Sequence, residues 1–242
     1  ENVINDKCTK CHAPMANKEA HFSGHVVKIF DDGFLNPNNT HHDEAMNGVS
    51  CTLCHQVKDN GTLGTIAGMS GKYEVDESRT IYGPYDNVFA GPMRNNVDYD
   101  IQYSAHMKDS KMCASCHNLK TPFVDENGNL LSTTPESEFP EQMPYSEWEH
   151  SSYKETQSCQ DCHMQRTDGV VIASRPPWLE TQRNGFAQHI FVGGNKMLLD
   201  ILNNNKASLG VNSNNFEATI AKTDAIPARP SGFAPLDAID SG

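Results

Sequence analysis

The chain has 242 residues, of which 37% are hydrophobic, 8% aromatic and 21% charged, with a formal net charge of −12. Such acidity repels nucleic acid and anionic lipid, and no apolar run approaches the roughly 18–20 residues of a membrane-spanning helix. For one or two domains of this size the apolar share is thin, so something other than side chains is expected to supply part of the core.

The first element is "CTKCH" (Cys8, Cys11, His12), and it recurs as "CTLCH" (Cys51, Cys54, His55), "CASCH" (Cys113, Cys116, His117) and "CQDCH" (Cys159, Cys162, His163). The four copies use all 8 cysteines. Zinc knuckles, redox dithiols and disulfides each account for C-x-x-C and leave the following histidine unexplained. Covalent haem attachment accounts for all three residues: two thiols add across two vinyl groups on one porphyrin edge, and the next residue turns its imidazole onto the iron. The expected cofactors are therefore four covalently bound haem c groups with iron ligated by His12, His55, His117 and His163. Each motif is expected near the start of a short helix, where thiols and imidazole share one face.

Four porphyrins are large apolar plates that repair the thin core. The chain is expected to fold only around them, with the cofactor-free polypeptide largely disordered. Their propionates add further negative charge, which directs the chain toward basic patches on redox proteins or toward cationic metal and mineral acceptors. Haem is attached outside the cytoplasmic membrane. A periplasmic, extracellular or cell-surface location is thus expected, with an export signal already removed ahead of Glu1.

Along the chain, Met15 follows the first motif and is expected to pack on a ring rather than bind iron, as is Met164 after the last. His21 and His25 in "EAHFSGH" and His41 beside His42 are weaker candidates for a second axial ligand. His42 precedes Cys51 and His150 precedes Cys159 by the same nine residues, and His106 stands just ahead of Cys113. A histidine shortly upstream of one motif is well placed to reach the iron of an adjacent haem. His42, His106, His150 and His189, the last in "FAQHIFVGGN", form the expected distal set; the glycines after His189 let backbone approach a flat ring. The spacing of motifs is short, long, short, which suggests dihaem halves over 1–75 and 105–190 joined by "IYGPYDNVFAGPMRNN" within one tetrahaem domain, 1–225.

Secondary structure is expected to be sparse: short α-helices and irregular loops around four stacked haems, with little β. "FVDENGNLLS" carries Asn127-Gly128 between two short extended runs and predicts a small hairpin near 123–131. "GNKMLLDILNNNKASLG" predicts the longest helix, with Met197, Leu198, Ile201 and Leu202 on one stripe and Gly210 as a stop. That stripe is expected to lie on protein, or failing that on a haem edge. The Pro- and Gly-rich segment 226–242 cannot form a packed helix and is expected as an extended tail held against its own or a neighbouring subunit.

Taken together, "GVSCTLCHQ", "MCASCHNLKTP", "PEQMPYSEWEHSSY", "SCQDCHM" and "HIFVGGNKML" resemble a family of bacterial multihaem c-type cytochromes over about residues 8–222. The resemblance implies a multihaem cytochrome c fold and periplasmic or extracellular electron transfer. Some tetrahaem relatives polymerise into conducting filaments, so a homo-oligomer or filament of identical subunits is also implied. In such a filament a histidine of one subunit can complete a haem of the next. Through "HDEAMNGVSC" it favours His42 over His41, and it favours His189. Members of the family continue past "IAKTDA", where this chain turns to its Pro-rich tail. The expected function is electron carriage through low-spin haems with histidine on both faces, without catalysis. The alternative is a multihaem reductase with one five-coordinate iron and proton donors such as Tyr82, Tyr85 or Arg94.

Overall fold

A computed structural model describes residues 2–132, 134–172, 178–211 and 215–225. The expected tail, 226–242, lies outside the described residues. The chain divides into two compact units, Glu1–Cys159 and Gln160–Gly242.

The first unit begins with α1 (Asn2–His12) and α2 (Pro14–Phe22), separated by a single residue. Pro14 suits the first turn of α2 because its missing N–H would have no partner there. The two helices are tied side by side: Asn17 Nδ2 donates to Thr9 Oγ1 (2.9 Å) and Asp6 Oδ1 (3.1 Å). Next come α3 (His42–Met46) and α4 (Cys51–Gln56), the latter capped by Ser50, whose hydroxyl accepts from Leu53 N. Strands β1 (Thr80–Gly83) and β2 (Asp100–Tyr103) pair in parallel, Thr80 opposite Asp100, with α5 (Gly91–Val97) in the crossover. A 3-10 turn at Ala105–Lys108 leads into α6 (Lys111–His117). Then β3 (Leu119–Thr121) pairs antiparallel with β4 (Phe139–Gln142), followed by α7 (Pro144–Glu149). Helix α8 (Cys159–His163) starts on the last residue of this unit.

In the second unit β5 (Arg166–Thr167) pairs with β8 (Phe186–Ala187) and β6 (Val170–Val171) with β7 (Gln182–Arg183), all antiparallel. Helices α9 (Lys196–Asn204) and α10 (Phe216–Ala225) pack together and share the Lys196–Asp224 ion pair.

The architecture is thus mostly short helices and loops with a few two-stranded sheets. The turn expected near 123–131 is present: Val124 bridges Leu130, and Gly128 takes a positive φ of 83°. The β content exceeds that one turn, because the four two-stranded pairs are too short to carry a readable alternation. Helix α9 is shorter than the expected 194–210, giving way to turns that end at Gly210 with φ at 68°. Its apolar stripe is not packed into protein: Met197 is 70% exposed and Leu198 48%.

Two small apolar clusters lie in the first unit: Ala13, Ala16, Ala20, Val27, Phe34 and Ala45, and then Leu53, Val57, Leu63 and Tyr73. Among the described residues of the second unit, Val192 is the sole buried hydrophobic side chain. Large apolar residues near the first two motifs, including Phe22, Val26, Phe30, Leu35 and Met46, are at least half exposed. Fixing one residue costs about 1–2 kcal/mol of conformational entropy, and full burial of a Val or Leu side chain returns about 1.5–3 kcal/mol.

Candidate functional site

The four Cys-x-x-Cys-His motifs fall on α1, α4, α6 and α8. In α4 and α8 the first cysteine opens the helix, in α6 two residues precede it, and in α1 the motif closes the helix. Cys8, Cys11, Cys51, Cys54, Cys113 and Cys116 are in no disulfide. Thiols of different motifs meet: Cys11 is in hydrogen-bond contact with Cys116, and Cys113 with Cys159. Contact with Cys159 and then burial push the Cys113 thiol up, contact with Cys11 and then burial push Cys116 up, and burial pushes Cys54 up. The partner thiol of Cys116 lowers Cys11. Of these thiols Cys116 packs on an apolar cluster of Leu53, Val57, Leu63 and Tyr73, together with Met15, Val75 and Met112. Tyr73, buried, donates its hydroxyl to Lys10 O at 2.7 Å. Thiol contacts thus join the first motif to the third and the third to the fourth, and Leu53 of the second motif lies in the cluster on which Cys116 packs, an arrangement with no signal in the spacing of the motifs.

The histidines separate by which ring nitrogen is engaged. An imidazole that binds metal through Nε2 usually anchors its Nδ1–H on a carbonyl or carboxylate, which fixes the ring. Four rings donate Nδ1–H to a backbone carbonyl: His42 to Phe34 (2.8 Å), His55 to Tyr82 (2.7 Å), His150 to Ser146 (2.7 Å) and His163 to Val192 (2.6 Å). His106 shares a 2.6 Å hydrogen bond between Nδ1 and Ser104 Oγ. Its ring is buried at 4% exposure, and its Nε2 has no hydrogen-bond partner. Such a group costs about 1–3 kcal/mol when left unsatisfied. Burial also lowers the pKa of His106, keeping it in the neutral form that ligates metal.

His21 and His41 differ, because each spends Nε2: His21 on Asp6 at 2.8 Å and His41 on Nδ1 of His25 at 2.8 Å. His25 keeps its own Nε2 out of that contact, on an exposed ring, and so meets the same chemical requirement as His42. His189 is exposed between Phe186 and Phe191, with ring centroids 6.4 and 5.9 Å away. His12 and His117 are exposed as well. Phe191 takes a left-handed φ of 46°, a strained conformation for an aromatic residue, next to Val192, whose carbonyl anchors His163.

The proposed proton donors are engaged elsewhere. Tyr82 donates its hydroxyl to Asp76 Oδ2 at 2.6 Å, and burial together with that carboxylate pushes its pKa up to about 12. Arg94 pairs with Asp100, and Lys108 lies over the Tyr85 ring, 5.8 Å from its centroid. The backbone carbonyls that anchor Nδ1 were not legible in the sequence, because they leave no residue-type signature; Ser104 at His106 and His41 at His25 anchor it through side chains.

These features fit haem c: paired cysteines next to imidazoles, rings held by Nδ1, a buried Nε2 without a hydrogen-bond partner, and exposed apolar side chains. Among the described residues no three His, Cys, Asp or Glu gather to hold a metal ion by themselves, and no helix is long and apolar enough to cross a membrane. Compared with protein-family models, curated proteins and solved structures, the chain finds no match.

Proposed function

We propose that the chain is a tetrahaem c-type cytochrome that carries electrons in the periplasm or outside the cell, by way of haems stacked within a multihaem cytochrome fold. Cys8, Cys11, Cys51, Cys54, Cys113, Cys116, Cys159 and Cys162 supply the thioether links. His12, His55, His117 and His163 would ligate the irons from within the motifs, and His42, His106, His150 and His189 would supply the second ligands. The observation that carries this reading is the nitrogen pattern of the imidazoles, above all the buried, unpartnered Nε2 of His106.

Bound haem supplies a one-electron ferric–ferrous couple. The chain does the rest. Carbonyls of Phe34, Tyr82, Ser146 and Val192 hold imidazoles by Nδ1, so the rings stay in place when charge changes. Two histidines per iron would leave no position for a substrate and would set a lower potential than methionine does. Phe22, Val26, Phe30 and Leu35, exposed on the chain, would offer a porphyrin apolar surface and shield it from water. The net charge of −12 steers the protein to basic patches of redox partners or to cationic metal and mineral surfaces. Assembly into a filament of identical subunits is part of the same proposal.

The ferric spectrum tests it. Expected is a wholly low-spin spectrum, unchanged by cyanide. High-spin bands that shift with cyanide or nitrite contradict it and point to a reductase with one open iron. Monodisperse small particles at every concentration in negative-stain microscopy contradict the filament.

A further inference from the structure

We propose that His55 and His106 are the two axial ligands of a single iron, the one tethered by Cys51 and Cys54. This rests on the haem reading above and adds to it the partner of one distal histidine.

Three observations meet at Tyr82. Its carbonyl accepts from Nδ1 of His55 at 2.7 Å, which orients the proximal ring of the second motif. Its side-chain ring stands edge-on to His106, with centroids 5.4 Å apart. The parallel pairing of β1 and β2 runs Tyr82 opposite Gln102 and Gly83 opposite Tyr103, and the chain then turns at Ser104 directly into His106. Strand β1 packs on α4, which carries His55, and the turn bearing His106 packs on β1. The turn bearing His106 also packs on α6, which carries Cys113, so the pairing of the two strands sets His106 between the helix of its own neighbouring motif and the strand that lies on α4. There the ring lies against the backbone of Val57, the residue that closes α4.

Both imidazoles are prepared alike. Each anchors Nδ1, His55 on a carbonyl and His106 on Ser104 Oγ, and with Nδ1 as donor each keeps a lone pair on Nε2. In His106 that nitrogen is buried and unpartnered. Tyr82 is itself fixed by its hydroxyl on buried Asp76, so both rings are referred to one rigid residue.

The test combines two substitutions in the haem-loaded protein. In the full chain, His106→Met is expected to convert one haem of four to histidine–methionine ligation, seen as a new charge-transfer band at the red edge of the ferric spectrum and a raised potential for one haem. In a chain that also carries Cys51→Ala and Cys54→Ala, and that holds three haems by mass, His106→Met is expected to produce no such band. A band that persists with three haems overturns the pairing. If the three-haem chain does not accumulate, nuclear Overhauser effects in the reduced full-length protein decide: ring protons of His55 and His106 are expected to reach meso protons of the same haem, and contacts to two different haems overturn the pairing. Failure of the haem reading is distinct, because the unmutated chain then carries no haem mass.

Discussion

A histidine ring offers two nitrogens, and in this protein their separate engagements rank the candidates that spacing leaves level. His41 and His42 are neighbours in the sequence, yet His41 gives Nε2 to His25 while His42 gives Nδ1 to Phe34 O. His42→Met is therefore expected to change the ligation and raise the potential of one haem, whereas His41→Gln leaves four low-spin haems; potentiometric titration of both variants checks this. The location of His106 ahead of Cys113 was legible in the sequence. Its burial and its orphan Nε2 were not, because they depend on a strand pairing of residues far apart in the chain. Asp6 gives a pH dependence at the same scale. Burial works against its charge, but Lys10, His21 and Asn17 donate to the carboxylate and hold its pKa at about 2, below 3.8. A depressed carboxylate pKa stabilises the folded state above the unfolded value, and that contribution is lost as pH falls through the folded value. Wild type is thus expected to melt above Asp6→Asn at pH 6, with the gap closing as pH falls from 3.8 toward about 2. An equal gap at both ends contradicts this assignment.

At the level of elements, the motif helices and the helix ahead of Gly210 were readable, whereas the caps that start them, Ser50 accepting from Leu53 N in α4 and Asn195 from Leu198 N in α9, emerge only in the structure. The paired strands were not readable, since runs of two to four residues give alternation no room to appear. Helix α9 shows that periodicity reports a face and not what covers it: the stripe of Met197, Leu198, Ile201 and Leu202 is regular, and every member stays at least 38% exposed. Substituting an exposed residue usually changes stability by less than about 0.5 kcal/mol, whereas truncating a buried leucine costs about 2–5 kcal/mol. Ile201→Ala in the isolated subunit is accordingly expected to shift the melting midpoint little. Leu53→Ala, in the cluster on which Cys116 packs, is expected to lower it by many degrees. Comparable shifts for the two would mean that the α9 stripe is covered.

For the whole molecule, the decisive quantity is the mismatch between its length and its buried apolar content. Composition at 37% hydrophobic signalled a thin core, and the second unit carries it furthest, with Val192 alone buried among its described hydrophobic residues. The contacts of Cys11 with Cys116 and of Cys113 with Cys159 had no trace in the sequence, as contacts between motifs follow from helix packing rather than spacing. If four porphyrins complete the core, the chain made without haem is expected to give the circular dichroism of a disordered polypeptide and no cooperative melting; a cooperative transition of the haem-free chain contradicts that. The most direct test of the central claim is the intact mass of the protein made in a host that attaches haem to exported chains. The account predicts four haem masses added to the 26.7 kDa polypeptide, resistant to denaturation. A mass equal to the bare polypeptide, or zinc in place of iron, contradicts it.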